Sequence, residues 1–252
     1  MRLTYLGHAT VLIEDAGHAL ITDPLLVRRV GHLLRHGERP PELPALDVVL
    51  LTHLHHDHLH LPSLRLLPSG LPAVVPAAAA GLARRAGLEP VPVAAWERIS
   101  VGPFEVRAVP ADHANSRVPW GRPEPALGFV VSHRSPNVYF AGDTGLFPGM
   151  WEIGDLGIGT ALVPVAGWGP TLGPGHMGPD EAARSLRALR PEVAVPIHWG
   201  TFSPFGMGRR GDHAAQEFRT WAGRLAPGVR VEVLGLGEHL ETGTASAAAP
   251  GP

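Results

Sequence analysis

The fold is decided at residues 47–58, which read DVVLLTHLHHDH. The first half of this stretch is an apolar run, which is typical of a strand at the centre of a sheet. The run leads directly into His53, and His55, Asp57 and His58 follow. Residues two positions apart point to the same side of an extended segment, so His53 and His55 are predicted to bind one metal ion. Asp57 and His58 come after the chain turns and are predicted to bind a second ion beside it.

Other predicted strands also end in a histidine or an aspartate. Residues 104–109 lead to His113, residues 138–141 to Asp143, and residues 192–197 to His198. Groups at the carboxyl ends of strands form the usual active-site edge of an α/β protein. Together with the first cluster they give three ligands for each of two ions and one bridging carboxylate, in the order His53, His55, His113; Asp57, His58, His198; and Asp143.

The composition limits the kind of metal site and the kind of partner. The 252 residues include no cysteine, so the ligands must be nitrogen and oxygen atoms. Two zinc ions are the predicted cofactors, and manganese or iron suits the same ligands. A net charge of -2 without a clustered basic stretch argues against a nucleic-acid partner and favours a small-molecule substrate. The alternative for the cluster, a solvated histidine-rich surface loop, is disfavoured because an apolar strand enters it.

The chain is predicted to form one α/β domain over residues 1–240, followed by a disordered tail at 241–252 that is rich in small residues. Helices are predicted at 77–86, 179–189 and 213–225, between strands, and a short amphipathic helix is predicted within 25–46. The start of the chain does not resemble a signal peptide and no run of 18 apolar residues occurs, so a cytoplasmic protein without membrane insertion is expected. The sequence leaves the oligomeric state open.

The order of these motifs resembles that of the metallo-β-lactamase-fold superfamily of metal-dependent hydrolases. Residues 53–58 match its HxHxDH motif, and His113, Asp143 and His198 follow in the same order. The resemblance covers essentially residues 1–240, and it implies an αββα sandwich of two mixed β-sheets flanked by helices, with the metals at one edge. Within the superfamily, the segments 7–10, 22–24 and 197–202 look most like the N-acyl-phosphatidylethanolamine-hydrolysing phospholipase D and the ascorbate-phosphate lactonases.

Several further residues are predicted to lie near the metals. Asp23 is expected to orient a ligating imidazole, although an Asp-Pro turn is the alternative. His176 precedes a predicted helix and is expected to contact substrate or to donate a proton to the leaving group, beside Asp57 as the other catalytic residue. The remaining candidates have core, turn or surface alternatives, and they are His8, Thr144, Arg117, Trp168 and Trp199.

The predicted activity is hydrolysis by a hydroxide that bridges the two metals, with a phosphodiester or another phosphorylated small molecule as substrate. The first alternative is a lactone or amide hydrolase that uses the same metals. The second is a non-catalytic metal-binding protein, which the complete ligand set disfavours. A nuclease is also disfavoured, because the sequence has no basic patch.

Overall fold

A computed structural model describes residues 1–115, 121, 123–167, 172–206 and 212–242 of the protein. The predicted tail therefore lies outside the described residues from 243 onward. The strands are β1 (Arg2–Gly7), β2 (Thr10–Asp15), β3 (His18–Thr22), β4 (Arg29–Val30), β5 (Leu33–Arg35), β6 (Val48–Leu50), β7 (Pro72–Pro76), β8 (Glu89–Val93), β9 (Arg98–Val101), β10 (Phe104–Asn115), β11 (Glu124–Ser132), β12 (Asn137–Phe140), β13 (Ile158–Pro164), β14 (Val193–Ile197), β15 (Phe202–Pro204), β16 (Arg230–Val231) and β17 (His239–Glu241).

The helices follow strands, as the sequence pattern predicts. A 3-10 turn at Ala77–Ala79 leads into the second helix. The helices are α1 (Leu61–Leu64), α2 (Ala80–Arg85), α3 (Met150–Gly154), α4 (Pro179–Leu189) and α5 (Asp212–Leu225). None of the helices in the described part of the chain is long and apolar enough to cross a membrane.

Two seven-stranded sheets form the centre of the protein. Their strand orders are β17-β1-β2-β3-β6-β7-β8 and β16-β14-β13-β12-β11-β10-β9, and a small third sheet has the order β15-β5-β4. Both large sheets are mixed. The first has parallel pairing from β3 to β8 beside the antiparallel β1–β3, and the second has parallel pairing from β12 to β16 beside the antiparallel β9–β12.

The alternation of side chains along each strand produces the layers. Val48 and Leu50 of β6 pack between the two sheets, whereas Val49 and Leu51 pack on the opposite face against α1 and α2. The outer face of the second sheet packs in the same way against α3, α4 and α5. Burial on both faces explains the continuous apolar run of this strand, since each fully buried side chain of this size contributes about 1.5–3 kcal/mol. The predicted αββα sandwich is confirmed.

The helix predicted within residues 25–46 is wrong, because this segment forms strands β4 and β5. They make a hairpin in which Val30 pairs with Leu33, and Gly31 takes a left-handed φ of 54° in the turn. Val30 and Leu33 pack together on Leu25 and Phe202. A spacing of three residues suits both a helix face and the two ends of a tight hairpin, so the sequence pattern did not separate the two structures.

The last described strand, β17, ends at Glu241, one residue beyond the predicted limit of the domain at 240. Its register with β1 pairs Arg2 with Glu241. The amide of Thr242 then donates to the carbonyl of Met1 at 2.7 Å. The two ends of the described chain therefore lie side by side at the border of the first sheet.

Candidate metal centre

The predicted metal ligands meet at one edge of the sandwich, where strands from both large sheets end. All seven are buried or half-buried, although all are ionisable. The loop after β6 carries His53, His55, Asp57 and His58, while His113 lies in β10, Asp143 follows β12 and His198 follows β14.

Three histidines form what we call the first half of the cluster, namely His53, His55 and His113. The Nδ1 atom of His55 lies 3.1 Å from Nε2 of His53 and 3.1 Å from Nε2 of His113. With a carboxylate oxygen of Asp143, all of these atoms lie within 4.8 Å of one another. Such a group could hold one metal ion.

The second half of the cluster consists of Asp57, His58 and His198, with His8 beside them. The Nε2 atoms of His58 and His198 are 3.3 Å apart, and each lies 3.8 Å from Oδ2 of Asp57. Nε2 of His8 lies 3.0 Å from the same carboxylate oxygen. These four residues also offer ligand atoms within 4.8 Å of one another.

The carboxylate of Asp143 lies between the two halves. Its Oδ2 is 3.9 Å from Nε2 of His53 and 3.2 Å from Nε2 of His58, and its Oδ1 is 3.3 Å from Nε2 of His198. Oδ1 is buried and has no hydrogen-bond partner among the residues that the structure describes. A buried carboxylate oxygen without a donor is costly unless a cation faces it.

The spacing of these atoms fits metal coordination. Two ligand nitrogens bound to one tetrahedral zinc ion, each at about 2.1 Å, lie about 3.4 Å apart. The separations within the first half are 3.1 Å, and the one between His58 and His198 is 3.3 Å. The donor set and the unpartnered oxygen of Asp143 therefore both fit a cluster that binds metal.

Asp23 fixes the ring orientation of two of these histidines. Nδ1 of His58 donates to Oδ2 of Asp23 at 2.7 Å. The amide of Thr52 donates to Oδ1 and its hydroxyl to Oδ2, at 2.8 and 2.6 Å, so the hydroxyl oxygen accepts from Nδ1 of His53 at 2.9 Å. Both Nε2 atoms are thereby turned toward the cluster, as in metal sites in which an outer carboxylate holds the ligating imidazole.

Backbone carbonyls orient two further rings. Nδ1 of His113 donates to the carbonyl of Gly175, and Nδ1 of His198 to that of Ala166, both at 2.9 Å. A Cβ atom at position 175 would lie 2.9 Å from the Asp112 carbonyl and 3.0 Å from Cα of His113. The close approach of this loop therefore requires glycine.

Three residues of the cluster hold a backbone conformation that is unfavourable for side chains with a Cβ. His8, Asp23 and His198 have φ values of 58°, 32° and 62°. Such conformations persist only where the surrounding structure fixes them, and they concentrate at functional sites. Here the amide of His198 donates to the carbonyl of His8 at 2.8 Å, which links the two sheets through two strained residues.

Burial and charge act in opposite directions on the carboxylates of the cluster. Burial alone would raise the pKa of Asp57, but the neighbouring His58 and the hydrogen bond from His8 hold that pKa well below its usual value. Burial likewise opposes ionisation of Asp143, yet His198 and His58 keep its pKa well below the usual value. Both carboxylates are therefore ionised.

The pKa of His58 is shifted in the opposite direction from the pKa values of the other histidine ligands. Burial lowers the pKa of His53 well below the ordinary value and that of His55 to about 4. Burial also lowers the pKa of His198 to about 3. It acts in the same direction on His58, but Asp143 and Asp57 outweigh it and raise the pKa of His58 well above the ordinary value. The negative potential that retains a proton on His58 would equally attract a metal cation.

His176 lies at the rim of this cluster. Its Nε2 is 3.3 Å from Oδ2 of Asp143, and its ring is edge-on to that of His113 at 4.8 Å. Burial lowers the pKa of His176, but the hydrogen bond to Asp143, the charge of that carboxylate and the hydrogen bond to the Gly173 backbone together outweigh burial and raise the pKa. Its side chain is 21% exposed, which leaves it accessible from the rim.

Thr144 and Trp199 make contacts away from the ligand atoms. The hydroxyl of Thr144 donates to the Gly145 carbonyl and accepts from the Asp112 amide, both at 2.9 Å, which closes the turn after β12. Trp199 donates to the carbonyl of Pro196 at 2.9 Å and packs against the cores on both faces of the second sheet. The contacts of Thr144 fit its alternative as a turn residue, and those of Trp199 fit its alternative as a core residue. Arg117 and Trp168 lie outside the described residues.

No role was predicted for Thr52 from the sequence, although this residue directly precedes His53. Its hydroxyl links that histidine to Asp23, and its methyl group lies under Gly142, where a Cβ would approach it to 2.6 Å. A threonine between an apolar strand and the first histidine was the available signal.

Comparisons with known proteins agree with this geometry. Residues 18–199 match the model of the beta-lactamase superfamily domain. A UPF0173 metal-dependent hydrolase of Methanopyrus kandleri is 34% identical over 246 residues, which is 96% of this chain and 100% of the relative.

Solved structures show the same fold. Igni18, a metallo hydrolase of Ignicoccus hospitalis, has a TM-score of 0.72 at 24% identity, with 95% of this chain and 97% of that chain covered. An isothiocyanate hydrolase from Delia radicum gut bacteria also has a TM-score of 0.72, at 21% identity, with 96% and 100% covered. The chain belongs to the beta-lactamase superfamily, as a metal-dependent hydrolase with the metallo-β-lactamase fold.

Proposed function

We propose that this cluster binds two zinc ions and hydrolyses a phosphodiester or another phosphorylated small molecule. The observation that carries the proposal is the position of Asp143, whose two carboxylate oxygens face histidines of both halves. Its unpartnered Oδ1 and the short separations between ligand nitrogens support two cations rather than one. Manganese or iron would suit the same donors.

The roles of the remaining residues follow from their contacts. Bound zinc would supply a Lewis acid and lower the pKa of a water molecule toward neutrality. Asp57 is a ligand of the second half and, held by His8, can orient the attacking water. Asp23 and Thr52 hold His58 and His53 in place. His176 lies at the rim, where Asp143 raises the pKa of its imidazole, and in its protonated form it can donate a proton from Nε2 to the leaving group.

A lactone or amide is the second candidate substrate, and Asp112 favours it. This carboxylate is exposed beside His113, and it would lie 3.0 Å from a Cβ added at Gly145. A negative charge at this position repels a phosphate group and has no such effect on a neutral ester or amide. The phosphorylated substrate is supported by the resemblance of segments 7–10, 22–24 and 197–202 to the N-acyl-phosphatidylethanolamine-hydrolysing phospholipase D and the ascorbate-phosphate lactonases.

Metal analysis and parallel assays test both parts of the proposal. The purified protein should contain two zinc ions per chain, and it should cleave a chromogenic phosphodiester faster than a lactone or an anilide. Asp112→Asn should raise kcat/KM for the phosphodiester and leave that for the lactone unchanged. A single tightly bound metal would contradict the two-ion site. Faster turnover of the lactone or anilide would select the second substrate class.

The proposed partner is a small molecule, and the proposed location is the cytoplasm. The first rests on the net charge of -2 without a clustered basic stretch, and the second rests on the sequence having no run of 18 apolar residues. Binding to DNA or RNA that weakens steeply with salt would contradict the first. Recovery of the protein outside the cytoplasm after cell fractionation would contradict the second.

A further inference from the structure

Arg35 is a buried cation in the small third sheet, outside the metal cluster. It lies in β5 and is 7% exposed. Its guanidinium group donates to three backbone carbonyls, those of Leu6 at 2.5 Å, Glu38 at 2.8 Å and Leu25 at 3.5 Å. In the described part of the chain it has no carboxylate partner. A buried charge that is balanced only by carbonyl dipoles is costly, so its position requires an explanation.

Two of the three carbonyls that Arg35 binds lie next to the turns that carry His8 and Asp23. Leu6 directly precedes Gly7 and His8, which have φ values of 108° and 58°. Leu25 lies two residues after Asp23, whose φ is 32°. Arg35 therefore ties together two loops that hold strained conformations at the metal centre.

A second path leads from Arg35 to the same histidine through an aromatic ring. The guanidinium carbon lies 5.7 Å from the centre of the Phe202 ring, and that ring is edge-on to His8 at 5.7 Å. The segment after β5 adds a third contact. The amide of His36 donates to the carbonyl of Thr201 at 2.7 Å, and the Thr201 hydroxyl accepts from the His8 amide at 2.9 Å. The small third sheet and the residues next to it therefore pack against the turn at His8.

We propose that Arg35 is a positioning residue, which holds His8 against the carboxylate of Asp57 and so maintains the second half of the cluster for metal binding. His8 is the connection, because its Nε2 lies 3.0 Å from Oδ2 of Asp57 and its ring lies 3.9 Å from that of His198. Among the described residues, no hydrogen bond or ring contact joins Arg35 or Phe202 to the first half. This inference rests on the proposed two-metal site.

Zinc titration of Arg35→Met tests the role of this residue. Loss of an outer residue that orients a ligand weakens metal binding by about 10- to 100-fold, so one of the two zinc ions should bind that much more weakly. The other zinc ion should keep its wild-type affinity. Arg35→Lys, which keeps the charge but reaches fewer carbonyls, should give an intermediate affinity.

Arg29→Ala is the matched control, because this exposed arginine lies in the same small sheet and, among the described residues, its side chain donates only to the carbonyl of Gly31. It should bind zinc as the wild type does. A lower Tm of Arg35→Met with unchanged affinity for both zinc ions would overturn the inference, since a merely structural role predicts that result. If Arg35→Met does not fold, unchanged zinc affinity of Arg35→Lys or Arg35→Gln would overturn it equally. Failure of the wild type to bind a second zinc ion would instead refute the proposed function.

Discussion

The two halves of the cluster achieve the same geometry with different electrostatics. The first half consists of imidazoles that burial keeps neutral, and its His55 is only half-buried. The second half contains the ionised Asp57 and is backed by the buried Asp23. Neutral imidazoles coordinate a metal ion through their lone pairs without adding charge to the site. Carboxylates add a negative charge that attracts a dication, most strongly in a medium of low dielectric constant. We therefore expect the second half to hold its metal ion more tightly.

The largest expected effect comes from Asp143→Ala, which removes the carboxylate that serves both halves. Zinc content should fall for both sites. Activity should fall about a thousandfold or more, since several kcal/mol of charge stabilisation is lost. Atomic absorption and a hydrolysis assay measure the two effects. Asp112→Ala, which removes a neighbouring exposed carboxylate, is the control for zinc content. An Asp143→Ala variant with two zinc ions and full activity would show that the halves do not share this residue.

His176→Gln separates chemistry from metal binding. This residue lies at the rim, and none of the three groups of candidate ligand atoms among the described residues includes it. Loss of a positioned proton donor should lower kcat by about 10²- to 10⁴-fold, while both zinc ions remain bound. The exposed His239→Gln in β17 should leave kcat unchanged. Loss of zinc in His176→Gln would mean that the residue belongs to one half as a ligand.

Asp23→Asn tests whether the tighter binding of the second half depends on its outer carboxylate. His58 donates directly to Asp23, whereas His53 reaches it only through Thr52. Zinc affinity should therefore fall about 10- to 100-fold, with the larger loss at the second half. Calorimetric titration with zinc resolves the two sites. Asp155→Asn, an exposed aspartate that pairs with Arg190, is the control. Equal losses at both sites would remove the proposed difference.

The smallest expected effect is on the pH dependence of stability in the metal-free protein. Burial lowers the pKa of His55 to about 4, from an ordinary value of 6.5. Between these values the unfolded chain binds a proton that the folded chain does not, so this contribution to stability is present above pH 6.5 and is lost as the pH falls toward 4. Urea unfolding of the wild type and His55→Ala at several pH values measures it. The variant should lose less stability on acidification, and identical slopes would contradict the assignment.

The metal-ligand residues and the layers of the fold could be predicted because each is indicated by a short stretch of the sequence. The apolar run at 48–51 predicted a buried strand, since both of its faces are covered. Histidines and aspartates that directly follow strands predicted the metal edge, because strand ends share one side of a sheet. Helix α4 was predicted at its observed bounds from a proline at its first position and its amphipathic pattern. These features depend on residues close in the sequence.

The tertiary structure decided the features that depend on distant contacts. The hairpin of β4 and β5 looked helical because its apolar spacing fits both structures, and only packing on Leu25 and Phe202 separates them. The roles of Thr52 and Arg35 depend on contacts with residues 29 or more positions away in the chain, such as Asp23, Leu6 and Phe202.

The sequence by itself determined which atoms are available to bind metal, because residue types and strand ends are local properties. The tertiary structure alone decided which nitrogen of each imidazole faces the cluster. That choice depends on the acceptor at the opposite side of each ring, such as the carbonyls of Gly175 and Ala166, and those acceptors come from other parts of the chain.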